Sequence, residues 1–430
     1  FSFSLPDRDT LNTGSIRLRN ILNLRNSAEI VSQLDEVFQQ EFEKYLGEKI
    51  PHEKVTVAGI RTVLKSINSE TGTNPVVIYA VTMPEQLELV LVMPSGPPIR
   101  KVIPQAKAAV LQKTLVQFRK ALINVEDSSS YLVPAQQLYQ WLIAPFEADL
   151  KALGIDTLIF CMDGGLRQIP LAALHDGKQF LVEKYSLGSI PSISLTNSSY
   201  KTVKDAQVLG MGASKFATLA PLPAVPTELN IITQLWRGDS FLNEQFTFNN
   251  LKAQRQRQPF EIIHLATHAD FQAGKPSNSF IQLWDKKIQL NQLRQMGWNQ
   301  APQVELLVLS ACRTAVGDEN VELGFAGLAV QAGVKSALAS LWYVSDEGTL
   351  GLMSEFYQQL RQPEITTKAG ALRQAQIAML RGQVRLENGQ LRGLGGLGEI
   401  DLPPELRRQG NHDLSHPFYW AGFTMIGSPW

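Results

Sequence analysis

The chain has 430 residues, of which 40 are basic and 40 are acidic, so its formal net charge is zero. This length favours two domains, or one large domain with an appendage, and allows a large buried core. The balanced charge argues against electrostatically driven binding to nucleic acid or to an anionic membrane. The longest apolar runs fall far short of the roughly 20 residues that span a bilayer, so no membrane segment is expected.

Only two cysteines occur, Cys161 and Cys312. They cannot build a disulfide framework or a cysteine-rich zinc site, and a reducing compartment fits them best. The sequence begins with Phe1 and shows no basic segment followed by an apolar one, as a signal peptide would. We therefore expect a cytoplasmic protein whose sequence is trimmed before Phe1, and a regulatory protein or an upstream sensor domain as a partner besides the substrate.

Residues 1–73 are predicted to form a helical N-terminal arm, because apolar residues between Ile30 and Leu46 recur every three or four positions. Residues 74–225 are predicted to form a first α/β unit. Its candidate strands are 76–81, 87–93, 155–163 and 207–212.

Residues 226–430 are predicted to form a second α/β unit, in which strands and helices alternate. This alternation favours a mostly parallel sheet that helices cover on both faces. The segment 388–416, rich in Gly, Pro and charge, is predicted to be a long mobile loop. The candidate strands of the unit are 261–268, 304–312, 334–344 and 418–426.

Two of these strands end in residues that can take part in acyl transfer, His268 and Cys312. Reactive groups collect at the carboxyl ends of parallel strands, so the two residues are predicted to share one edge of the sheet. A cysteine nucleophile needs an imidazole to manage protons and backbone N–H groups to hold the oxyanion. The alternative is that Cys312 is a core residue and that His268 merely ends a strand.

The residues resemble a known family at several places along the chain. The matching segments are 162–174, His-Leu-Ala-Thr-His-Ala at 264–269, Leu-Ser-Ala-Cys-Arg-Thr at 309–314, 324–333, Ser-Leu-Trp at 340–342, and 417–430. Together they resemble the CHAT domain, a caspase- and separase-like module common in cyanobacteria. The resemblance covers nearly the whole chain after residue 74.

This resemblance implies a caspase-like α/β/α sandwich with a mostly parallel central sheet, preceded by an α/β unit similar to the pseudo-protease half of separase-like enzymes. It also implies a cysteine endopeptidase whose dyad is His268 and Cys312, without a metal or organic cofactor. The backbone N–H groups of Ala269 and Cys312 are the expected oxyanion donors. Many members of the family have Gly after the histidine, so Ala269 is a departure that carries a steric cost if a positive φ is needed there.

A substrate pocket is expected beside the cysteine, on the segment that begins with Trp342. Asp346 occupies a position where separase-like enzymes, which this segment resembles, place a carboxylate that binds a basic P1 side chain. Glu319 and Glu322, together with Asp318, form a second acidic group that is expected to supplement the pocket. The alternatives are a solvated acidic loop and an Asp346 that only caps the next helix.

The sequence thus predicts cleavage of protein substrates after Arg, with weaker support for Lys. Two other functions stay open. One is a catalytically idle regulatory scaffold that binds a protein partner, and the other is an acyltransferase or thioesterase that uses the same His and Cys. The run Gly393–Gly398 satisfies G-x-G-x-x-G, but no strand feeds it and no helix follows, so it predicts no dinucleotide site.

Overall fold

The computed structural model describes residues 16–51, 53–314, 319–393, 398–407 and 413–430, and the side chains of all of these except 311–314 and 319–320. The described α-helices follow a helical segment at 16–22. They are α1 (Ser27–Leu46), α2 (Val57–Thr71), α3 (Ala108–Leu122), α4 (Leu132–Leu142), α5 (Glu147–Ala152), α6 (Leu181–Lys184), α7 (Val225–Leu235), α8 (Phe248–Arg257), α9 (Glu319–Ala326), α10 (Leu328–Ala332), α11 (Asp346–Leu360), α12 (Lys368–Leu380) and α13 (Pro404–Arg407).

The strands form one large sheet of 13 strands and a small one of three. They are β1 (Pro75–Met83), β2 (Gln86–Val92), β3 (Ile99–Ile103), β4 (Thr157–Met162), β5 (Ser186–Ile190), β6 (Val208–Gly212), β7 (Gly238–Leu242), β8 (Ile262–Phe271), β9 (Phe280–Gln282), β10 (Lys287–Gln289), β11 (Leu306–Thr314), β12 (Ser336–Ser340), β13 (Arg385–Glu387), β14 (Gln390–Arg392), β15 (Ile400–Asp401) and β16 (Phe423–Gly427).

The main path of the large sheet runs β10-β9-β8-β11-β12-β16-β5-β4-β1-β2-β3. Strands β6 and β7 extend it beside the first half of β8. The central strands β6, β8, β11 and β12 are parallel, as are β1, β4 and β5. This arrangement confirms the predicted α/β class with a mostly parallel sheet.

Alternation along the strands explains why both faces of the sheet are covered. In β1, Val76 and Ile78 pack in a core with Leu115 and Phe118 of α3. The residues between and after them, Val77 and Tyr79, pack in a second core with α1 and α2. Successive side chains of a strand point to opposite faces, so an unbroken apolar run here means helices on both sides.

The two predicted units share this single sheet. The last strand, β16, pairs antiparallel with β12 of the second unit and parallel with β5 of the first, where Ile426 is opposite Ser189. Strand β6 lies in the predicted first unit but pairs with β7 and β8. We therefore place the division of the chain between β5 and β6 rather than at residue 225, and refer to the two sides as the first and second halves of the sheet.

Close packing at the seam between the halves leads to a stability prediction. A Cβ atom on Gly188 of β5 would lie 2.8 Å from the Cβ of Pro429, which follows β16. We expect Gly188→Ala to lower the free energy of unfolding by roughly 1–3 kcal/mol, the usual cost of overpacking. Urea denaturation followed by circular dichroism measures this change.

Gly59, an exposed glycine of α2, is the matched control. A Cβ there meets only the Thr56 hydroxyl, at an ordinary 3.4 Å. Gly59→Ala should be neutral, or stabilising by up to about 1 kcal/mol, because alanine is the better helix former. Equal stability of the two variants would show that the seam accommodates an added Cβ at Gly188 without strain, contrary to this prediction.

Two predictions about the second half need correction. The segment 388–416 contains strands β14 and β15 and helix α13, and it buries Leu391, Leu402 and Leu406. It is therefore not a long structureless loop, although 394–397 and 408–412 lie outside the described residues. The apolar spacing of residues 324–332 also predicts one helix punctuated by glycine, but the structure has two, α9 and α10. They meet at Gly327, where a Cβ would lie 3.0 Å from the Phe42 ring.

Within the described ranges, no helix has the length and apolar character needed to cross a membrane.

Candidate active site

His268 and Cys312 lie on neighbouring parallel strands, β8 and β11. Both strands continue past these residues, to Phe271 and Thr314, so neither residue ends its strand as predicted. The pairing aligns Ala311 with His268 and Cys312 with Ala269. With strands about 4.8 Å apart, the two Cα atoms lie on the order of 6 Å from each other.

A register shift offsets these two residues by one position instead of pairing them directly. The pairing steps from Leu309 and Leu265 to Ala311 and His268, so β8 contains one extra residue between the two pairs. Irregularities of this kind redirect the strand and are common beside active sites. Beyond the shift, β8 turns from β6 to pair with β9 instead.

The imidazole of His268 is held from three sides. Its Nε2 lies 2.8 Å from the carbonyl oxygen of Ala220. The ring of Phe216 packs against it at 4.7 Å, and the ring of Tyr343 stacks on it at 6.0 Å with an interplanar angle of 19°. These contacts fix the orientation of a side chain that is only partly buried.

The contact with Ala220 also sets the tautomer of His268. A carbonyl oxygen can only accept, so Nε2 must carry the proton and donate it. In the neutral ring, Nδ1 then has the free lone pair. Burial lowers the pKa of His268 from its ordinary value, against the effect of the Ala220 carbonyl. The neutral form, which is able to accept a proton, therefore dominates at neutral pH.

The loop 213–224, between β6 and α7, supplies two of these contacts. It begins beside β8 because Gly212 lies close to it: a Cβ there would be 2.6 Å from the carbonyl oxygen of Ala266. The N–H of Ala213 donates to the same oxygen at 3.1 Å. Only glycine allows the backbone to come this close to β8. The close approach directs the loop along β8 toward His268.

Asp346 is the first residue of α11, and its carboxylate is partly buried. Its Oδ2 accepts a hydrogen bond of 2.6 Å from the N–H of Ala224, at the end of the loop 213–224. The helix is capped instead by Ser345, whose hydroxyl accepts from the N–H of Gly348 at 3.1 Å. The capping alternative for Asp346 is therefore wrong, and its side chain faces the loop.

The carboxyl of Asp346 is electrostatically unusual. Burial raises its pKa to about 7; the Ala224 N–H opposes this, while the charges of Glu228 and Glu347 add to it. A carboxyl that is half-ionised near neutral pH, beside a histidine site, is a functional candidate on physical grounds. It would gain from a cation, which favours the ionised form.

Tyr343 joins Asp346 to His268. Its ring stacks on the imidazole, and its hydroxyl lies close enough to Asp346 and Glu347 for their charges to add to the effect of burial in raising its pKa. Tyr343 is 40% exposed and is therefore accessible from solvent. Thus His268, Tyr343, Asp346 and the loop 213–224 form one cluster.

Beneath the cluster lies a buried polar network that also includes a second histidine. His264 is fully buried; its Nε2 lies 2.9 Å from Oε1 of Glu228 and its Nδ1 lies 3.2 Å from the hydroxyl of Tyr357. This position makes His264 a core residue. Glu228 connects the network to the cluster, because its charge also acts on Asp346.

Several predicted site residues have other roles in the structure. Trp342 is buried, donates its indole N–H to the carbonyl of Phe418 at 3.0 Å and packs on Gly422, which favours a structural role. Glu322 is also buried and accepts a hydrogen bond of 2.5 Å from the N–H of Gly165. Because Trp342 and Glu322 are buried and bonded to backbone groups, Asp346 is the better candidate for contact with a substrate side chain.

The remaining predicted residues are described less fully. The side chains of Cys312 and Glu319 lie outside the described residues, as does Asp318. Ala269 is buried in β8 between Cys312 and Ile281, and among the described residues only Asn243 and Asn388 have a positive φ without being glycine. The steric cost that alanine would bear at a positive φ therefore does not arise.

Sequence reasoning missed the partners of His268. Phe216 and Ala220 lie in the loop 213–224, and they reach the histidine through tertiary contacts. A hint was present in Gly210 and Gly212 at the end of β6, since glycine in a strand often marks close backbone approach. Tyr343 lies in the predicted pocket segment, but nothing in its spacing points to His268.

Comparison with known proteins supports the fold. No curated protein matches the sequence. Two structures of the separase–securin complex from Saccharomyces cerevisiae match it with TM-scores of 0.50 and 0.51, at 10% and 11% identity, covering 99% and 98% of this chain. The chain spans 34% and 35% of the matched chains, about a third of their length.

A weaker likeness is found to the Arg-specific cysteine proteinase gingipain R, the RgpB protein of Porphyromonas gingivalis. Its TM-score is 0.42 at 10% identity, with 84% of this chain and 78% of the other covered, so we draw no conclusion from it. The model of the CHAT domain family matches residues 132–428, well over half of the chain. The chain therefore belongs to the CHAT domain family, whose fold is that of caspase-like proteases.

Proposed function

We propose that the chain is a cysteine endopeptidase that cleaves protein substrates after a basic P1 residue, Arg or with weaker support Lys. The observation that carries the proposal is the pairing of β8 with β11, which aligns His268 with the residue before Cys312. His268, whose imidazole can accept a proton, thus lies on the strand next to that of the candidate nucleophile, offset from it by one residue. Family membership supports the same chemistry.

The proposed reaction has two acyl-transfer steps. Neutral His268 takes the proton of the Cys312 thiol, and the resulting thiolate attacks the carbonyl carbon of the P1 residue. Backbone N–H groups of Cys312 and Ala269 stabilise the oxyanion. The tetrahedral intermediate collapses to a thioester as protonated His268 gives its proton to the leaving amine. Neutral His268 then takes a proton from water, whose oxygen attacks the thioester; collapse of the second intermediate releases the acid and returns the thiolate.

The hydrogen bond of His268 to Ala220 suits the imidazole to this proton transfer. Its Nε2–H is engaged by Ala220, so Nδ1 is the nitrogen left to receive and return the proton. The bond to Ala220 also stabilises the charged imidazolium that forms during the reaction, since the carbonyl dipole points its negative end at the ring. Ala220 therefore acts as a positioning group for the histidine.

Basic specificity rests on Asp346. Its carboxylate belongs to the same cluster as His268, and within the described part of the chain the hydrogen bond that it accepts comes from the N–H of Ala224, at Oδ2. A carboxylate has about four acceptor positions, so one bond leaves room for a guanidinium. Arginine can occupy them through two parallel bonds, which lysine cannot form.

The proposal is tested with fluorogenic peptides that differ only at P1, as Arg, Lys or Asp. Turnover is expected for Arg, less for Lys and none for Asp. A chain that turns over none of them, while its histidine and cysteine are intact by mass spectrometry, would leave the idle partner-binding scaffold as the better account. Labelling by acyl thioesters but not by an Arg-chloromethylketone would favour an acyltransferase or thioesterase instead.

The separase structures are complexes with securin. We propose, by analogy of fold, that this chain also meets a protein at its site, either as substrate or as regulator. Pull-down with Cys312→Ala, which would bind a substrate without cleaving it, followed by mass spectrometry, separates these cases: a substrate would be cut by the unmodified chain, and a regulator would not.

A further inference from the structure

A buried arginine of the first half contacts the segment that leads to the candidate pocket. Arg119, on α3, is 6% exposed. Its Nη1 donates to Oε1 of Gln168 at 2.6 Å, and its Nη2 donates to the carbonyl oxygen of Leu341 at 2.7 Å. Leu341 follows β12 and begins the segment that ends at Asp346. A cation of the first half therefore holds the strand exit of the second.

The same arginine interacts with the helix that follows the candidate nucleophile. Glu322 lies on α9, the first described helix after Cys312, and is 3% exposed. Its carboxylate is bonded to the N–H of Gly165 in the first half. Burial lowers the pKa of Arg119 to about 10, and the negative charge of Glu322 opposes that shift, so the guanidinium is charged at neutral pH.

Arginine suits this position for a physical reason. A buried charge is costly unless it is paired and hydrogen-bonded, and a guanidinium offers five N–H donors in a rigid plane. It can thus satisfy the Gln168 amide and the Leu341 carbonyl at fixed angles while it neutralises Glu322. The ammonium of lysine is a compact, strongly hydrated charge on a flexible stem, and its N–H donors do not lie in one plane. It therefore cannot hold several acceptors in a fixed planar arrangement.

We propose that Arg119 is a positioning residue, which from the first half of the sheet holds the two segments that flank the candidate active site: the strand exit at Leu341 and the helix that carries Glu322. The second half then depends on the first for the geometry of its site. This inference rests on the proposed function for its effect on turnover, but not for its effect on the structure around Cys312.

The test compares Arg119→Met and Arg119→Lys with a matched arginine elsewhere between the halves. Arg373, on α12, donates to the carbonyl oxygens of Val182 and Glu183 at 2.8 and 2.6 Å, so it makes the same kind of contact away from the site. For each variant we would measure kcat and KM on the Arg peptide, the melting temperature, and the rate of native alkylation by iodoacetamide. Cys161 is fully buried, so peptide mapping of the alkylated protein reports on Cys312.

We expect Arg119→Met to lower kcat/KM by about 100-fold, the size of effect that a displacement of 1 Å in an active site produces. Arg119→Lys should recover only part of this loss. Arg373→Met should lower the melting temperature and leave kcat/KM within about twofold of the unmodified chain. A folded Arg119→Met protein whose kcat/KM matches that of Arg373→Met overturns the proposal.

Two further outcomes of these measurements also test the proposal. If Arg119→Met does not fold, Arg119→Lys decides: full activity overturns the proposal and a clear loss supports it. If the unmodified chain cleaves no peptide, the proposed protease function fails by itself, and the alkylation rate then tests the positioning role. A rate for Cys312 that changes in the Arg119 variants but not in Arg373→Met supports that role, and an equal rate overturns it.

Discussion

Replacing Cys312 with alanine is expected to lower the turnover of Arg peptides by on the order of 10⁴-fold or more, since loss of a nucleophile leaves only binding and oxyanion stabilisation. Folding should be little affected, because the change removes a single sulfur atom. The measurement is kcat with a fluorogenic P1-Arg peptide, together with a thermal unfolding curve. Titration with a chloromethylketone should also show one equivalent for the unmodified chain and none for the variant.

The other cysteine supplies the control. Cys161 is buried in the core in β4, where its thiol donates to the carbonyl of Pro191 at 3.4 Å. Cys161→Ala should cost stability, with kcat unchanged. Turnover that survives in Cys312→Ala would remove Cys312 as the nucleophile, and with it the proposed reaction.

The second large effect concerns pH. Preference for Arg at P1 is expected to rise as the pH increases through about 7, where Asp346 loses its proton. Below that pH the carboxyl is neutral and offers a guanidinium no charge; above it, the charge-assisted bonds form. Such bonds contribute about 1.5–3 kcal/mol, so the preference over a neutral side chain should reach about 10- to 100-fold.

Citrulline, the neutral counterpart of arginine, makes this measurable. The ratio of kcat/KM for the Arg and citrulline peptides cancels the titration of His268, which is shared, and reports on Asp346. Its midpoint should therefore lie near pH 7, whereas the acid limb of kcat/KM for citrulline alone should lie below the ordinary imidazole value, as the lowered pKa of His268 requires. Asp346→Asn should make the ratio small and independent of pH.

A neighbouring acid provides the control for this prediction. Glu347 is the next residue of α11, and its charge helps to raise the pKa of Asp346. Glu347→Gln removes that repulsion, so the preference for Arg should persist with its midpoint moved to lower pH. An Arg-to-citrulline ratio that is flat in the unmodified chain would exclude Asp346 from the specificity pocket.

The sequence predicts the strands of the site well because buried parallel strands are continuous apolar runs. The runs ending near His268 and Cys312 are of this kind, and the structure pairs them as neighbouring parallel strands. The extra residue in β8 could not be predicted, since a register shift is a property of two paired strands and leaves no mark in either run alone. It moves the partner of Cys312 from His268 to Ala269.

Side-chain partners were predicted less well than strands. Asp346 was expected to face a substrate pocket or to cap its helix, and local sequence could not decide between them. The choice depends on Ala224, more than a hundred positions away in the chain, and on burial that raises the carboxyl pKa. The acidic residue Glu322 looked equally suited to a pocket, yet it binds the backbone of the first half.

The position of β16 has a consequence for folding. This strand, at 423–427, fills the gap between β12 and β5, and until it is synthesised each of those strands presents an open edge. Open edges pair readily with other chains, and contacts between distant parts of a sequence form slowly. A nascent or truncated chain that ends before residue 423 would therefore hold two incomplete sheets that are prone to aggregate, and the native sheet could close only after β16 has been synthesised.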